Sequence, residues 1–233
     1  MQLFYEPLFD STAKLIVVNP IESRHISKVL RKNIGDKVFI TNGMGLLAEG
    51  LIKSNHPKKC EIEVLKIDEK KASKHHLHIA IAPTKANDRF EWFLEKATEI
   101  GIQEITPLLC EHSERRTIKL ERYEKVLQAA MKQSLNAFLP KLNELTSFSD
   151  FITSEYNSTK LIAHCENDAK ERLSKVVGDD NLVLIGPEGD FSRSEIDLAV
   201  SYGFNPISLS NSRLRTETAG IVACHTVNLI KSI

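Results

Sequence analysis

Two segments near the C-terminus constrain this chain more than any others. Leu184-Ile185-Gly186-Pro187-Glu188-Gly189 and Leu209-Ser210-Asn211-Ser212-Arg213-Leu214-Arg215-Thr216-Glu217-Thr218-Ala219 each lead from a short apolar strand through a turn into a helix. Two strand-to-helix turns so close together predict one cleft lined by backbone N–H and C=O groups, suited to a small polar ligand. The glycines at 186 and 189 let the backbone approach that ligand, and Pro187 stiffens the turn. No Gly-Lys-Ser/Thr follows and no GxGxxG is present, so neither common nucleotide loop applies. Ser192 and Glu195 have the spacing of a capping box. Thr216 reads as the N-cap of the last helix, and Glu217 suits its positive end. Arg215, a guanidinium on the turn before that helix, is placed to meet an anionic group or RNA.

The rest of the chain predicts an α/β protein of two parts. Residues 1–68 carry short strands at 15–18, 37–40, 47–52 and 60–65, with turns at Gly35-Asp36 and Asn42-Gly43-Met44-Gly45. One helix interrupts them, from about Glu22 to Arg31, with Ile26, Val29 and Leu30 at helical spacing. So many strands in so short a stretch favour a small barrel. Residues 69–75 are polar and read as a linker. From His76, strands at 77–82, 104–109, 161–164, 182–185 and 206–209 alternate with helices at 88–100, 120–135, 192–202 and 216–231. That alternation predicts a parallel sheet covered on both faces.

Composition narrows the class. With 233 residues, 42% hydrophobic and 27% charged, the chain can bury one large core or two small ones. No apolar run approaches the roughly 20 residues of a membrane span, and the first residues lack the pattern of a signal peptide. A cytoplasmic setting is expected. Cys60, Cys110, Cys165 and Cys224 form no CxxC pair and read as reduced thiols. His75-His76-Leu77-His78 lacks partners at ligand spacing and reads as a linker or strand-edge feature, so no metal is expected. Net charge is zero. Residues 1–72 nevertheless hold 12 Lys and Arg against 9 Asp and Glu, a net +3, so the first part is the more basic.

Basic residues cluster at two places suited to phosphate. Arg24, Lys28 and Arg31 share a helical stretch, with Lys28 and Arg31 at i, i+3. Lys85 and Arg89 flank a helix start, where cations oppose the helix dipole and something else should want them.

Taken in order, several motifs resemble one family: His25-Ile26-Ser27-Lys28-Val29-Leu30-Arg31, Pro83-Thr84-Lys85 with Arg89, Lys96-Ala97-Thr98-Glu99-Ile100-Gly101, Gln133-Ser134, Gly186-Pro187-Glu188-Gly189, and Leu214-Arg215-Thr216-Glu217-Thr218-Ala219. They are similar to those of the bacterial 16S ribosomal RNA (uracil-N3) methyltransferases of the RsmE type, within the SPOUT superfamily. The resemblance spans almost the whole chain. It implies a PUA-like β-barrel RNA-binding domain (1–68), then a SPOUT methyltransferase domain (76–233) with a deep trefoil knot. It implies S-adenosylmethionine held by residues 163–165 (Ala163 and His164 among them), 184–189 and 209–219. It further implies a homodimer in which each RNA site is completed by the partner, acting on a uridine of 16S rRNA in the small subunit.

On that reading Arg215 stabilises charge on the base, and Glu217 or Glu188 accepts its proton. Arg24, Lys28, Arg31, Lys85, Arg89, Arg115 and Arg116 hold phosphates. The alternatives are a methyltransferase acting on another RNA and a non-catalytic RNA-binding assembly factor. Three positions depart from the family pattern: Asp190 replaces a usual third glycine, and Lys132 and Asn136 stand where Glu and Arg are expected.

Overall fold

The computed structural model describes residues 2–166 and 169–232. It forms two compact units. The first comprises residues 1–73 together with 128–139, and the second comprises 74–127 with 140–233. The sequence reading placed 128–139 with the second part. It stands instead with the first, because Gly45 N–H and the Thr41 hydroxyl both donate to the Ala137 carbonyl, at 3.0 and 3.1 Å.

In the first unit, β1 (Leu3–Tyr5), β2 (Leu15–Val18), β3 (Lys37–Thr41), β4 (Leu46–His56) and β5 (Lys59–Glu69) form one sheet in the order β1-β3-β4-β5-β2. All neighbours are antiparallel except β1 and β3. Alternate residues point inward, so Ile16, Val18, Val38, Ile40, Ile52 and Ile62 build an apolar core with Phe4 and Ile26. Glu6, just after β1, accepts from Asn19 N–H at 2.8 Å, and Asn19 Nδ2 donates to Tyr5 O at 2.9 Å. Those bonds tether the two edge strands to each other.

The expected helix over 22–31 is present from Pro20 to Val29 but changes type part-way. α1 covers Pro20–Arg24, capped by the Asn19 side chain, and His25–Val29 forms a π-helical turn in which Leu30 N–H reaches back to the His25 carbonyl. Arg31 then takes φ +49°, which ends the helix.

The second unit is a parallel sheet. Its strands are β6 (Leu77–Ile81), β7 (Glu104–Leu109), β8 (Lys141–Leu142), β9 (Thr146–Ser147), β10 (Thr159–Ala163), β11 (Glu171–Arg172), β12 (Asn181–Ile185) and β13 (Asn205–Ser208). The main order is β11-β13-β10-β12-β6-β7-β8, with β9 on β7. Every residue of β6 and β12 is buried, as central strands covered on both faces require. The helices are α2 (Asn87–Ile100), α3 (Leu120–Gln133, whose last turns belong to the first unit), α4 (Phe148–Ile152), α5 (Leu173–Val176), α6 (Arg193–Ser201) and α7 (Thr216–Ser232).

α7 packs on α2 through Gly220. A Cβ there would lie 2.6 Å from the Phe93 ring, so only glycine permits this approach. On the other face, α4 and α6 cover Ala80, Leu108, Ile162 and Leu184. His78 lies inside this core, not in a linker. Its ring contacts Thr106 Oγ1 at 2.7 Å and packs edge-on against Phe151, and burial lowers its pKa to about 4.

The order of the last strands has a topological consequence. β11 belongs to the connection from β10 to β12, yet β13 lies between β10 and β11. The final strand thus has β10 on one side and a segment of the β10-to-β12 connection on the other.

Candidate active site

Thr216 joins the two turns singled out in the sequence. Its hydroxyl donates to the Gly186 carbonyl at 3.0 Å and is buried, so it does not cap α7 as expected. Arg215 supplies the first carbonyl of that helix instead, accepting from Ala219 N–H at 2.8 Å. With the turns tied in this way, two adjoining cavities open at the C-terminal ends of β10, β12 and β13. One, about 280 Å³, is bounded by Ala163, His164 and the run from Ile207 to Leu214. The other, about 290 Å³, is bounded by Ile185, Gly186, Pro187, Glu188, Asp190, Arg215 and Thr216. They share Ala163, Cys165, Arg213, Leu214 and Ala219. Each is close to the lower end of small-molecule pockets, about 300 Å³. The walls mix backbone turns and apolar side chains such as Ala163, Ile185, Leu209, Leu214 and Ala219 with polar and charged groups.

Most of the expected cofactor residues meet here, with three exceptions. Leu184 is wholly buried in the sheet core. Gly189 turns toward His112, whose Nδ1 lies 3.2 Å from its carbonyl. Thr218 faces a third, separate cleft with Asp88, Arg89, Trp92, Arg215 and Glu217. The structure adds Lys170, Asp190, Ile207 and Ser208 to the two cavities. Lys170 donates to the His164 carbonyl at 2.7 Å and so braces the 163–166 loop.

Asp190 accounts for its own departure from the family pattern. It adopts φ +65°, a conformation that favours glycine. Its carboxylate compensates, accepting from Cys165 N–H at 2.7 Å and from Phe191 N–H at 2.9 Å. The residue therefore clasps two cavity loops together. Partial burial and the Asp190 carboxylate push the Cys165 thiol up, which makes it a poor nucleophile. Asp190→Gly removes the clasp but relaxes the backbone, whereas Asp190→Ala removes the clasp and keeps the strain. Urea denaturation is expected to show a loss of about 1–2 kcal/mol for alanine and a smaller loss for glycine. The reverse order would mean that the positive φ is not strained, and two variants as stable as the wild type would mean that the carboxylate contributes nothing.

The two candidate carboxylates differ. Glu188 accepts from Lys85 N–H at 3.0 Å and so fixes the turn after β6. Glu217 is 6% exposed, its Oε2 has no hydrogen-bond partner among the described residues, and its Oε1 is 4.0 Å from Arg89 Nε. The basic residues also divide. Arg115 is committed to the Thr84 and Lys85 carbonyls at 2.9 and 2.6 Å, and Lys85 Nζ pairs with Glu114 at 2.7 Å. Arg116 is exposed, as are Arg24, Lys28 and Arg31 in the first unit.

Comparison with known proteins decides the family. A model described as an RNA methyltransferase domain matches residues 71–228, and one described as an RNA methyltransferase PUA domain matches 22–65. Ribosomal RNA small subunit methyltransferase E of Buchnera aphidicola subsp. Acyrthosiphon pisum is 30% identical over 211 residues, covering 87% of this chain and 83% of that protein. This chain belongs to the ribosomal RNA small subunit methyltransferase E family. Solved structures align with it over nearly its full length. The crystal structure of a "probable rRNA-methyltransferase" from Porphyromonas gingivalis is 39% identical, with a TM-score of 0.90 over 100% of this chain and 99% of that one. A Legionella pneumophila methyltransferase solved with the cofactor SAM bound is 26% identical, with a TM-score of 0.87 over 97% and 96% of the two chains.

Proposed function

We propose that the protein transfers a methyl group from S-adenosylmethionine to N3 of one uridine in 16S ribosomal RNA. The observation that carries this reading is the pair of cavities held together by the Thr216–Gly186 bond. Two lobes meeting at Ala163, Leu214 and Ala219 suit a ligand that bends between an adenosine and an amino-acid end. Residues 163–165, 185–188 and 209–216 would hold it. Bound there, S-adenosylmethionine supplies a methyl group on a sulfonium sulfur.

The chain's own residues face two further demands. Uracil N3 carries a proton at neutral pH, and its departure leaves an anion on the ring. Glu217 suits the first demand better than Glu188, because it lines the cleft that Arg89 and Arg215 also border and makes no hydrogen bond through Oε2 among the described residues, while Glu188 holds Lys85. Arg215 suits the second. Its guanidinium makes no hydrogen bond among the described residues and borders both the cofactor cavity and the Glu217 cleft.

The same reading makes the first unit a PUA-like barrel, supported by the bonds of Glu6 and Asn19 that tether its edge strands. Arg24, Lys28, Arg31 and Arg116 would contact phosphates, with Lys85 and Arg89 near the acceptor. Arg115 would act by bracing the turn that carries Lys85. The second unit would be a SPOUT domain with a deep trefoil knot, supported by the placing of β13 between β10 and β11. The working form would be a homodimer in the cytoplasm, acting on the small ribosomal subunit.

Deleting the gene is expected to remove 3-methyluridine from 16S rRNA, read by mass spectrometry of its nucleosides. Titration calorimetry should show S-adenosylmethionine binding to the purified protein. Unchanged 3-methyluridine in the deletion strain would dismiss the substrate, and no heat on titration would dismiss the cofactor.

A further inference from the structure

Beside the cofactor cavities, α2 and α7 leave an open cleft bounded by Asp88, Arg89, Trp92, Arg215, Glu217 and Thr218. Three features of it are unusual together. Trp92 is the chain's one tryptophan, and it is 44% exposed where helix surfaces ordinarily carry polar residues. Glu217 is more than nine-tenths buried, with one carboxylate oxygen unpartnered among the described residues. Arg89 and Arg215 both border the cleft beside that carboxylate.

We propose that this cleft seats the acceptor base, with Trp92 as the stacking face and Glu217, between Arg89 and Arg215, reading the base edge as uracil. The proposal rests on the methyltransferase reading above and deepens it. Uracil presents O2, N3–H and O4, an acceptor–donor–acceptor edge. The cleft offers the complement: guanidinium donors from Arg89 and Arg215 around a carboxylate acceptor. Cytosine presents an unprotonated N3 and an amino group, so it sets acceptor against acceptor at Glu217 and donor against donor at an arginine. A ring stacked on Trp92 keeps its edge free to face Arg215, which also borders the cofactor cavity. A base removed from its RNA stack needs such a face to replace the contacts that it loses.

The single tryptophan makes the test direct. Short oligouridine should quench Trp92 emission in the protein saturated with S-adenosylhomocysteine. Oligocytidine should require about tenfold or more higher concentration for the same effect. Trp92→Ala is expected to raise KM for 16S rRNA about tenfold or more, with the Kd for S-adenosylmethionine unchanged, and Trp92→Phe should recover most of the loss. Four results would overturn the seat: emission unmoved by either oligonucleotide, equal quenching by both, a wild-type KM in Trp92→Ala, or emission from the free protein already shielded from iodide. Any of these leaves the methyltransferase reading standing, provided that the wild type methylates. A wild type that binds no S-adenosylmethionine and methylates nothing removes the reading and the seat with it.

Discussion

Arg215→Ala should lower single-turnover methyl transfer by about 10²–10³-fold while leaving S-adenosylmethionine affinity within a few-fold of wild type. The expectation follows from where the side chain stands and what holds it. Arg215 precedes Thr216, whose hydroxyl anchors the turn to Gly186, and its carbonyl begins α7 through Ala219. Its backbone is therefore fixed on both sides while its guanidinium stays exposed and uncommitted among the described residues. A preorganised cation contributes most where charge develops during the reaction, which here is the ring left when N3 loses its proton.

The alanine variant removes that cation without touching the Thr216 anchor, so the cavity beside it should keep its shape. Arg215→Lys keeps the charge but loses the planar fork, and an intermediate rate is expected. Measuring the rate under saturating cofactor separates chemistry from binding. Wild-type turnover would end the electrostatic role. Loss of cofactor binding alone would make Arg215 a wall of the cavity.

The fold showed in the sequence wherever elements are long or central. β6 and β12 are buried on both faces, so they read as unbroken apolar runs ending at turns. α2 displays its buried face at Phe90, Phe93, Leu94 and Ala97 and closes at Gly101 in the left-handed region. Short elements did not show. α4 is five residues long and β11 two, and neither length can hold a period. The π-helical turn at 25–29 was hidden as well, because Ile26, Val29 and Leu30 keep helical spacing through it.

The pair of cavities was foreseeable from its turns, since Gly, Pro and Ser after an apolar strand announce a cleft lined by backbone. The Trp92 cleft was not. Its two walls lie more than a hundred residues apart, and only the packing of α7 on α2 brings them together. The tie between Thr216 and Gly186 was missed for a related reason. A threonine before an apolar helix reads locally as a cap, while its real partner lies on another turn.

Lys132 is the clearest case of a departure from family pattern that only the fold explains, and Lys132→Met is expected to destabilise the first unit by about 3–5 kcal/mol. Lys132 Nζ pairs with a carboxylate oxygen of Glu22, whose side chain is only 6% exposed. The other Glu22 oxygen makes no hydrogen bond among the described residues, and His25 Nδ1 lies 3.8 Å from it. Without Lys132 the carboxylate stays buried and uncompensated, which costs more than the pair itself contributes. Asn136 has a matching structural task, accepting from Phe138 N–H at 3.1 Å to shape the turn after α3.

The cycle with Glu22 supplies the control. Replacing both partners by apolar residues, Glu22→Leu with Lys132→Met, should return stability close to wild type or above it, because neither desolvated charge remains. Denaturant titration followed by circular dichroism would give both differences, and the melting midpoint of the single variant should fall by about 10 °C. If Lys132→Met melts with the wild type, the pair is too hydrated to matter. Lys132 would then have to be sought among the residues that touch RNA.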